Sequence, residues 1–225
     1  MTADSASINL THHFLIAMPG LEDAAFAKSV VYVCEHSERG ALGLVINKPS
    51  ELSMEGLFDK VDLPLHRQDL MTAPVLQGGP VHTERGFVLH DAMLVDASSQ
   101  VDVPGAVSES AQEAAALSAI SNNDSDKESV YASTMTIPGG LEMTTSKDVL
   151  EALSMGAGPK RVLISLGYSA WGEGQLESEL AENSWLTVGA DMAVIFDTPV
   201  DQRYERAMKL LGLESWMLSS DVGHS

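Results

Sequence analysis

The stretch that decides the fold is GYSAWGEGQLE, residues 167–177, which continues to NSWL at residues 183–186. A second informative stretch is SVVYVCEH, residues 29–36. Together they hold the only cysteine and two of the three tryptophans of the chain. Trp and Cys side chains are mostly buried or reactive, and here they stand beside Gly-rich turns and charged residues. The pattern therefore predicts either a functional site or a core pressed against tight turns.

The runs around these stretches predict both strands and helices. Residues 29–36 and 41–46 are β-rich and are separated by a turn at 37–40, which predicts a hairpin. Residues 161–166 predict a strand that leads into the Gly-Tyr-Ser-Ala-Trp turn, and residues 175–182 predict a helix. We interpret residues 185–188 and the apolar run 192–196 as the last strands, followed by a helix over 199–211 with Thr198 as its N-cap.

Length and composition limit the class of protein. With 225 residues, 44% of them hydrophobic, the chain can bury a full core and fits one domain. The first lysine is Lys28, so no basic leader is expected, and the apolar runs are too short to cross a bilayer. A single cysteine cannot form an internal disulfide. We therefore expect a cytoplasmic, unprocessed protein.

The net charge of −19 restricts the partners. The 13 Lys and Arg residues are scattered singly, apart from Lys160-Arg161, whereas nucleic-acid binding needs clustered cations to neutralise phosphates. We therefore predict no direct contact with nucleic acid and none with anionic membranes. Proteins, cations and small molecules remain as partner classes, and the charge alone can also serve solubility.

Six blocks of the chain carry a resemblance to a known family. In order, they are HFLIAMP (13–19), VVYVCEH (30–36), GLVINKP (43–49), QGGPV (77–81), RGFVLH (85–90) and the block 167–186. They resemble the ordered motifs of the AlgH/YqgE family of bacterial proteins, over residues 12–211. The resemblance weakens between residues 93 and 129, where the sequence is acidic and divergent.

The resemblance implies the α+β fold class: a single domain with a strongly coiled, mixed or antiparallel β-sheet flanked by helices. We assign this domain to residues 12–213, with a disordered tail at 1–11 and another tail at 214–225. Family members carry the label of transcriptional regulator through an association with alginate control, without an established biochemical activity. We treat the label as a name, and we predict a non-enzymatic regulatory or protein-interaction module without a cofactor and without direct DNA binding.

Cys34 and His36 support an alternative hypothesis. Regular strand alternation would place Tyr32, Cys34 and His36 on one face, about 7 Å apart along the strand. An imidazole at that distance could stabilise a thiolate, which redox sensing or nucleophilic catalysis requires. The chain would then be a thiol-dependent redox-responsive protein or an enzyme that uses Cys34 with His36. The competing interpretation is that Cys34 is a small buried hydrophobic residue.

Other reaction classes lack their motifs. No Cys-x-x-Cys or His-x-x-x-His spacing occurs, which disfavours a metal site. In GYSAW, Trp171 occupies the position where a nucleophile elbow needs its second glycine. The chain also lacks a P-loop and a complete dinucleotide fingerprint. We therefore predict neither a metal nor a nucleotide cofactor.

A surface for an unknown protein partner is the remaining prediction. Large aromatic residues with a polar tip are typical of interaction hot spots, and the neighbouring polar side chains could orient a partner backbone. The alternatives are that the tryptophans pack internally and that Asn47-Lys48-Pro49 only forms a turn. The oligomeric state stays open. The candidate interaction surface comprises Asn47, Lys48, Gly78, Gly79, Tyr168, Trp171, Gln175, Glu177, Asn183 and Trp185.

Overall fold

Ten strands join in one sheet in the computed structural model, which describes residues 8–93 and 129–213. The strands are β1 (His13–Ala17), β2 (Val30–Ser37), β3 (Gly40–Val45), β4 (Pro49–Ser53), β5 (Pro74–Gln77), β6 (Val81–Asp91), β7 (Thr134–Ile137), β8 (Leu141–Thr144), β9 (Val162–Trp171) and β10 (Trp185–Gly189). Their order is β10-β1-β2-β3-β9-β6-β8-β7, with β5 beside β9 and β4 beside β5. Of the strand pairs in the described residues, only β5 with β9 is parallel.

Six short α-helices accompany the sheet in the described part of the chain. They are α1 (Met54–Lys60), α2 (Gln68–Met71), α3 (Lys147–Ser154), α4 (Gln175–Ala181), α5 (Met192–Phe196) and α6 (Arg203–Leu210), with a 3-10 turn at Val200–Gln202 before α6. Together with the sheet they form a single α+β domain, which confirms the predicted fold class.

Apolar side chains cover both faces of the curled sheet. One face carries Phe14, Tyr32 and Leu44 and packs against α5 and α6. The opposite face is divided between two clusters. Residues of α4 contact Val31, Val33 and the two tryptophans at one end, and α1 and α3 cover Val88 and Ile164 at the other. Because each face is buried by different helices, the side on which a β2 residue lies decides its neighbours.

Local hydrogen bonds correct the prediction for the C-terminal elements. Residues 192–196 form the helix α5 and not a strand, because Asp191 caps this segment by accepting a bond from the N–H of Ala193 at 2.8 Å. The following helix begins at Arg203 and not at 199. Thr198 donates its hydroxyl to the carbonyl oxygen of Ala193 at 2.8 Å, so it closes α5 and does not cap α6.

The N-terminal boundary also differs from the prediction. Leu10 is buried, and its N–H donates to Nδ1 of His36 at 3.0 Å. The hydroxyl of Thr11 accepts a bond from the N–H of His36. The ordered domain therefore includes residues 10 and 11, which the prediction placed in a disordered tail. The rest of that tail up to residue 7, the tail at 214–225 and residues 94–128 of the acidic stretch lie outside the described residues.

Candidate functional site

A β-bulge separates Cys34 from His36. The register of β2 against β3 runs from Val33 opposite Gly43 to Glu35 opposite Leu42, so Cys34 is the extra residue. Cys34 consequently lies in the same cluster as Tyr32, whereas His36 pairs with Ala41 of the opposite cluster. The predicted shared face of Cys34 and His36 is therefore wrong, because a bulge reverses the alternation of the side chains that follow it.

The bonds of both side chains agree with this separation. His36 accepts a bond from Leu10 at Nδ1, so its proton lies on Nε2, which donates to Oε1 of Glu177 at 2.8 Å. Both ring nitrogens are thus engaged with other partners. Cys34 is 2% exposed, and burial raises the pKa of its thiol. A neutral, enclosed thiol does not meet the requirements of a reactive cysteine.

The two tryptophans of the candidate surface are internal. Trp171 and Trp185 are each 4% exposed, and their rings meet edge to face. Both indole N–H groups donate to the same carboxylate oxygen, Oε2 of Glu179, at 2.9 and 2.7 Å. Phe26 packs against both rings. They therefore fasten α4 to the sheet and are not available as surface anchors, in agreement with the alternative of internal packing.

The other candidates in the 167–186 block remain nearer the surface. Gln175 accepts a bond from Gly172 N–H and donates to Glu179, and Glu177 holds His36. Asn183 is exposed and ends α4 with a left-handed φ of 57°. Tyr168 is half-buried and packs against the apolar cluster on the other face of the sheet, with its ring beside His82 and Phe87. The structure thus does not bring these four residues into one surface patch.

Asn47 and Lys48 anchor a neighbouring loop. The Asn47 side chain accepts from Val30 N–H at 2.7 Å and donates to the carbonyl oxygen of Lys28 at 2.8 Å. Lys48 donates from Nζ to the carbonyl oxygen of Ala25 at 2.7 Å, and partial burial lowers the pKa of its ammonium. Asn47-Lys48-Pro49 therefore forms more than a simple turn, because two of its side chains hold the segment before β2.

Gly78 and Gly79 permit close contact with β9. A Cβ on Gly78 would lie 2.2 Å from the carbonyl oxygen of Gly167. A Cβ on Gly79, whose φ is +155°, would lie 2.3 Å from the carbonyl carbon of Tyr168. Only glycine fits at these positions without movement of the backbone. The pair therefore brings the segment after β5 directly against Gly167 and Tyr168, which lie within β9 and do not form the turn that the sequence predicted there.

Lys48 and Gly79 both line one cleft at the surface of the domain. We use the name lysine groove for two adjoining clefts, of about 630 and 460 Å³, that share Leu52, Lys60, Thr83 and Leu166. Lys48 and Gly79 line the first cleft, while the start of α3 lines the second. Sequence reasoning identified Lys48 and Gly79 but missed the rest of the groove, because its walls come from segments far apart in the chain.

The floor of the lysine groove is apolar and open above Gly86. Val88, Ile164 and Leu166 form much of this floor. A Cβ added to Gly86, which pairs with Leu166, would meet no atom within 4 Å. Three lysines (Lys48, Lys60 and Lys147) and two glutamates (Glu51 and Glu84) also line the groove. The lining of the groove therefore has one more lysine than it has glutamates, although the chain as a whole has a net charge of −19.

The polar side chains that line the groove limit the chemistry that it can offer. In the ranges 8–93 and 129–213, no group of three or more His, Cys, Asp and Glu residues is placed to hold a metal ion. The lining of the groove includes no cysteine or histidine. Its polar groups are lysine ammonium, hydroxyl, amide and carboxylate groups, which suit recognition of a ligand.

These features define a class: a single α+β domain with a curled sheet, on whose surface lies a groove with an apolar floor. Comparison with known proteins gives the family. The profile of the family described as AlgH-like matches residues 14–216. The chain belongs to the AlgH-like family.

Relatives match over the whole chain. A UPF0301 protein from Paracidovorax citrulli (strain AAC00-1) is 69% identical over 225 residues, which are 100% of both chains. A UPF0301 protein from Polaromonas sp. (strain JS666 / ATCC BAA-500) is 68% identical, again over 100% of both chains. The resemblance drawn from the six sequence blocks is therefore confirmed.

Two solved structures share the fold. The solution structure of the AlgH protein from Pseudomonas aeruginosa is 40% identical, with a TM-score of 0.65 and coverage of 98% of each chain. The crystal structure of a protein from Corynebacterium diphtheriae is 17% identical, with a TM-score of 0.61 and coverage of 94% of this chain and 92% of that one. The second likeness concerns the fold alone. Across the residues that the structure describes, no helix is long and apolar enough to span a bilayer.

Proposed function

We propose that this protein is a non-enzymatic interaction module, acting in the cytoplasm, that binds an extended segment of a partner protein in the lysine groove. The observation that carries the proposal is the groove itself: an apolar floor, with three lysines and two glutamates among its lining residues and no cysteine or histidine. A regulatory role would follow from the partner that is bound and would not require contact with DNA.

The chemistry of the groove indicates what the segment contains. Apolar side chains can enter between α1 and α3, above Gly86, where burial of their surface favours binding by roughly 25 cal/mol per Å². Acidic side chains on the same segment would meet Lys60 and Lys147. The chain as a whole is strongly acidic, so an acidic partner segment is repelled less at the groove, where lysines outnumber glutamates, than by the average surface of the protein. The expected ligand is therefore a peptide that combines Leu-like residues with Asp or Glu.

Burial of the thiol argues against the alternative function. A redox or thiol-catalytic role needs an accessible thiolate, and Cys34 is enclosed with a raised pKa and without contact to a free imidazole nitrogen. Cys34 is better explained as part of the core beside Tyr32.

A display library of short random peptides, selected on the full chain, tests the proposal. We expect the selected peptides to be enriched in Leu-like and acidic residues. A synthetic copy of one peptide, followed by fluorescence polarisation, should bind the Gly86→Trp variant at least about tenfold more weakly, because the indole fills the open floor. Lys60→Glu together with Lys147→Glu should also weaken binding and remove its dependence on salt.

Gly189 provides the matched control. A Cβ there also meets no atom within 4 Å, and Gly189 lies at the end of β10, outside the groove lining. Gly189→Trp should therefore bind the peptide with unchanged affinity. Selection of no acidic and apolar peptide, or equal affinity for the Gly86→Trp and Gly189→Trp variants, contradicts the proposal.

A further inference from the structure

Arg203 carries a buried positive charge, and no acidic side chain of the described residues pairs with it. It is the first residue of α6 and is 7% exposed. Its Nε donates to the carbonyl oxygen of Thr198 at 3.0 Å, and its Nη1 donates to that of Ile46 at 2.5 Å. A guanidinium carries five N–H groups, so these two bonds leave part of its donor capacity unused. Within residues 8–93 and 129–213, no carboxylate forms an ion pair with Arg203.

Burial of this charge has an energetic consequence. Removal of a guanidinium from water carries a penalty of several kcal/mol in proteins, which a carboxylate partner usually offsets. Here burial lowers the pKa of Arg203 to about 10, and no neighbouring charge opposes that shift. The side chain therefore remains a cation at neutral pH, and an anion that reached it would gain a strong, bidentate interaction.

A cavity gives access to this cation. Arg203 lines a cavity of about 290 Å³ between the first residues of β5 and β9 and the segment 195–200. The other lining side chains are mostly apolar and include Met54, Leu76, Ile195 and Val200. This volume corresponds to about ten water molecules at 30 Å³ each, which is the size of a small organic molecule. Of its lining, the lysine groove shares only Ile164.

One acidic residue, Asp197, lines the same cavity, and its charge interacts with a second arginine, Arg161. A hydrogen bond to Asp91 is the main cause that raises the pKa of Arg161, and the charge of the exposed Asp197 adds to that rise. Arg161 also pairs with Asp91, with its guanidinium 5.0 Å from the ring centroid of Phe196. The pKa of Arg203 itself is shifted by burial alone, so its guanidinium has no acidic partner among the residues that line the cavity.

We propose that this cavity binds a small organic acid, whose carboxylate pairs with Arg203 and whose apolar body fills the space beside Leu76 and Val200. The planar fork of the guanidinium matches a carboxylate, and the apolar lining suits a hydrocarbon chain of about six carbons better than a hydrated phosphate. The site is independent of the lysine groove and would add the ability to respond to a metabolite.

Hexanoate and hexanamide are matched probes, because they have the same size and differ in charge. In amide NMR titrations of the full chain, we expect low-millimolar hexanoate to produce saturable shifts at Thr198, Val200 and Arg203. Hexanamide should bind at least about tenfold more weakly, since it forms no ion pair. Equal binding of the two probes, or no saturable shift with hexanoate, would overturn the proposal.

Three variants separate recognition by Arg203 from a purely structural role. Arg203→Lys keeps the positive charge but removes the fork, and it should weaken hexanoate binding by about tenfold while the amide spectrum stays folded. Val200→Phe fills the cavity from its half-exposed side and should abolish binding, even if Arg203→Lys fails to fold. Arg206→Lys, on the exposed side of the same helix, should bind hexanoate normally. Normal binding by Val200→Phe would contradict the assigned site.

Discussion

Replacement of Glu179 should destabilise the protein, although this residue is not part of the apolar core. Its Oε2 accepts both indole N–H groups, from Trp171 at 2.9 Å and from Trp185 at 2.7 Å. In Glu179→Ala, two largely buried donors lose their acceptor, and each such loss costs about 1–3 kcal/mol. Because Glu179 itself is half-exposed, water can reach part of the site. We therefore expect a total near the lower end, about 2–4 kcal/mol of unfolding free energy.

Urea unfolding followed by far-UV circular dichroism measures this loss. The midpoint urea concentration should fall, while the slope of the unfolding free energy against urea concentration stays unchanged. Glu179→Gln keeps one carbonyl oxygen for both indoles but loses the charge, so it should cost about 1 kcal/mol. Glu182→Ala, at the exposed end of the same helix, should change stability by less than about 0.5 kcal/mol. If Glu179→Ala falls within the range of Glu182→Ala, the indole bonds do not fasten α4 and the reasoning fails.

Three further predictions concern the thiol, a glycine and nucleic acid. Burial raises the pKa of the Cys34 thiol, so the buried neutral thiol contributes to stability below the unfolded pKa of about 8.5, and this contribution is lost as pH rises, by up to about 1.4 kcal/mol per pH unit. Between pH 8 and 10 the urea midpoint should therefore fall more steeply with pH for the native chain than for Cys34→Ala, and an equal fall in both proteins would refute this. Gly79→Ala should cost more than about 3 kcal/mol, whereas Gly86→Ala should cost less than about 1 kcal/mol, because only the first Cβ meets backbone; equal melting temperatures of the two variants would contradict the packing. Gel-shift assays at physiological salt should detect no binding of random duplex DNA, and a salt-sensitive shift at low micromolar protein would disprove this.

Local signals explain which parts of the fold could be predicted from the sequence. The hairpin of β2 and β3 and the helix at 175–181 follow from short-range periodicity and turn residues, and the structure contains both. The five apolar residues 192–196 are compatible with a strand or a helix. Asp191, an N-cap residue directly before this run, is the local signal that favours a helix over a strand, and the strand prediction does not take it into account.

Long-range pairing explains what could not be predicted. Ala41 pairs with Trp171, and Phe14 pairs with Val188, at separations that no local pattern encodes. The bulge at Cys34 likewise depends on how β2 is held against β3, since no residue of the run VVYVCEH marks its position. One displaced residue was enough to move His36 to the opposite face and to remove the basis of the thiol hypothesis.

The contacts that each sequence motif makes in the structure indicate where in the domain to look for function. In the 167–186 block, Trp171, Trp185, Gln175 and Glu177 use their polar groups on bonds within the domain, so the fold itself explains why this block has such a distinctive composition. The lysine groove has a different character, because part of its floor is open space above Gly86 and its charge opposes that of the chain. A motif whose polar groups all serve internal contacts has little left to offer a partner. Recognition should therefore be sought at the groove and not at the tryptophans that first distinguish the sequence.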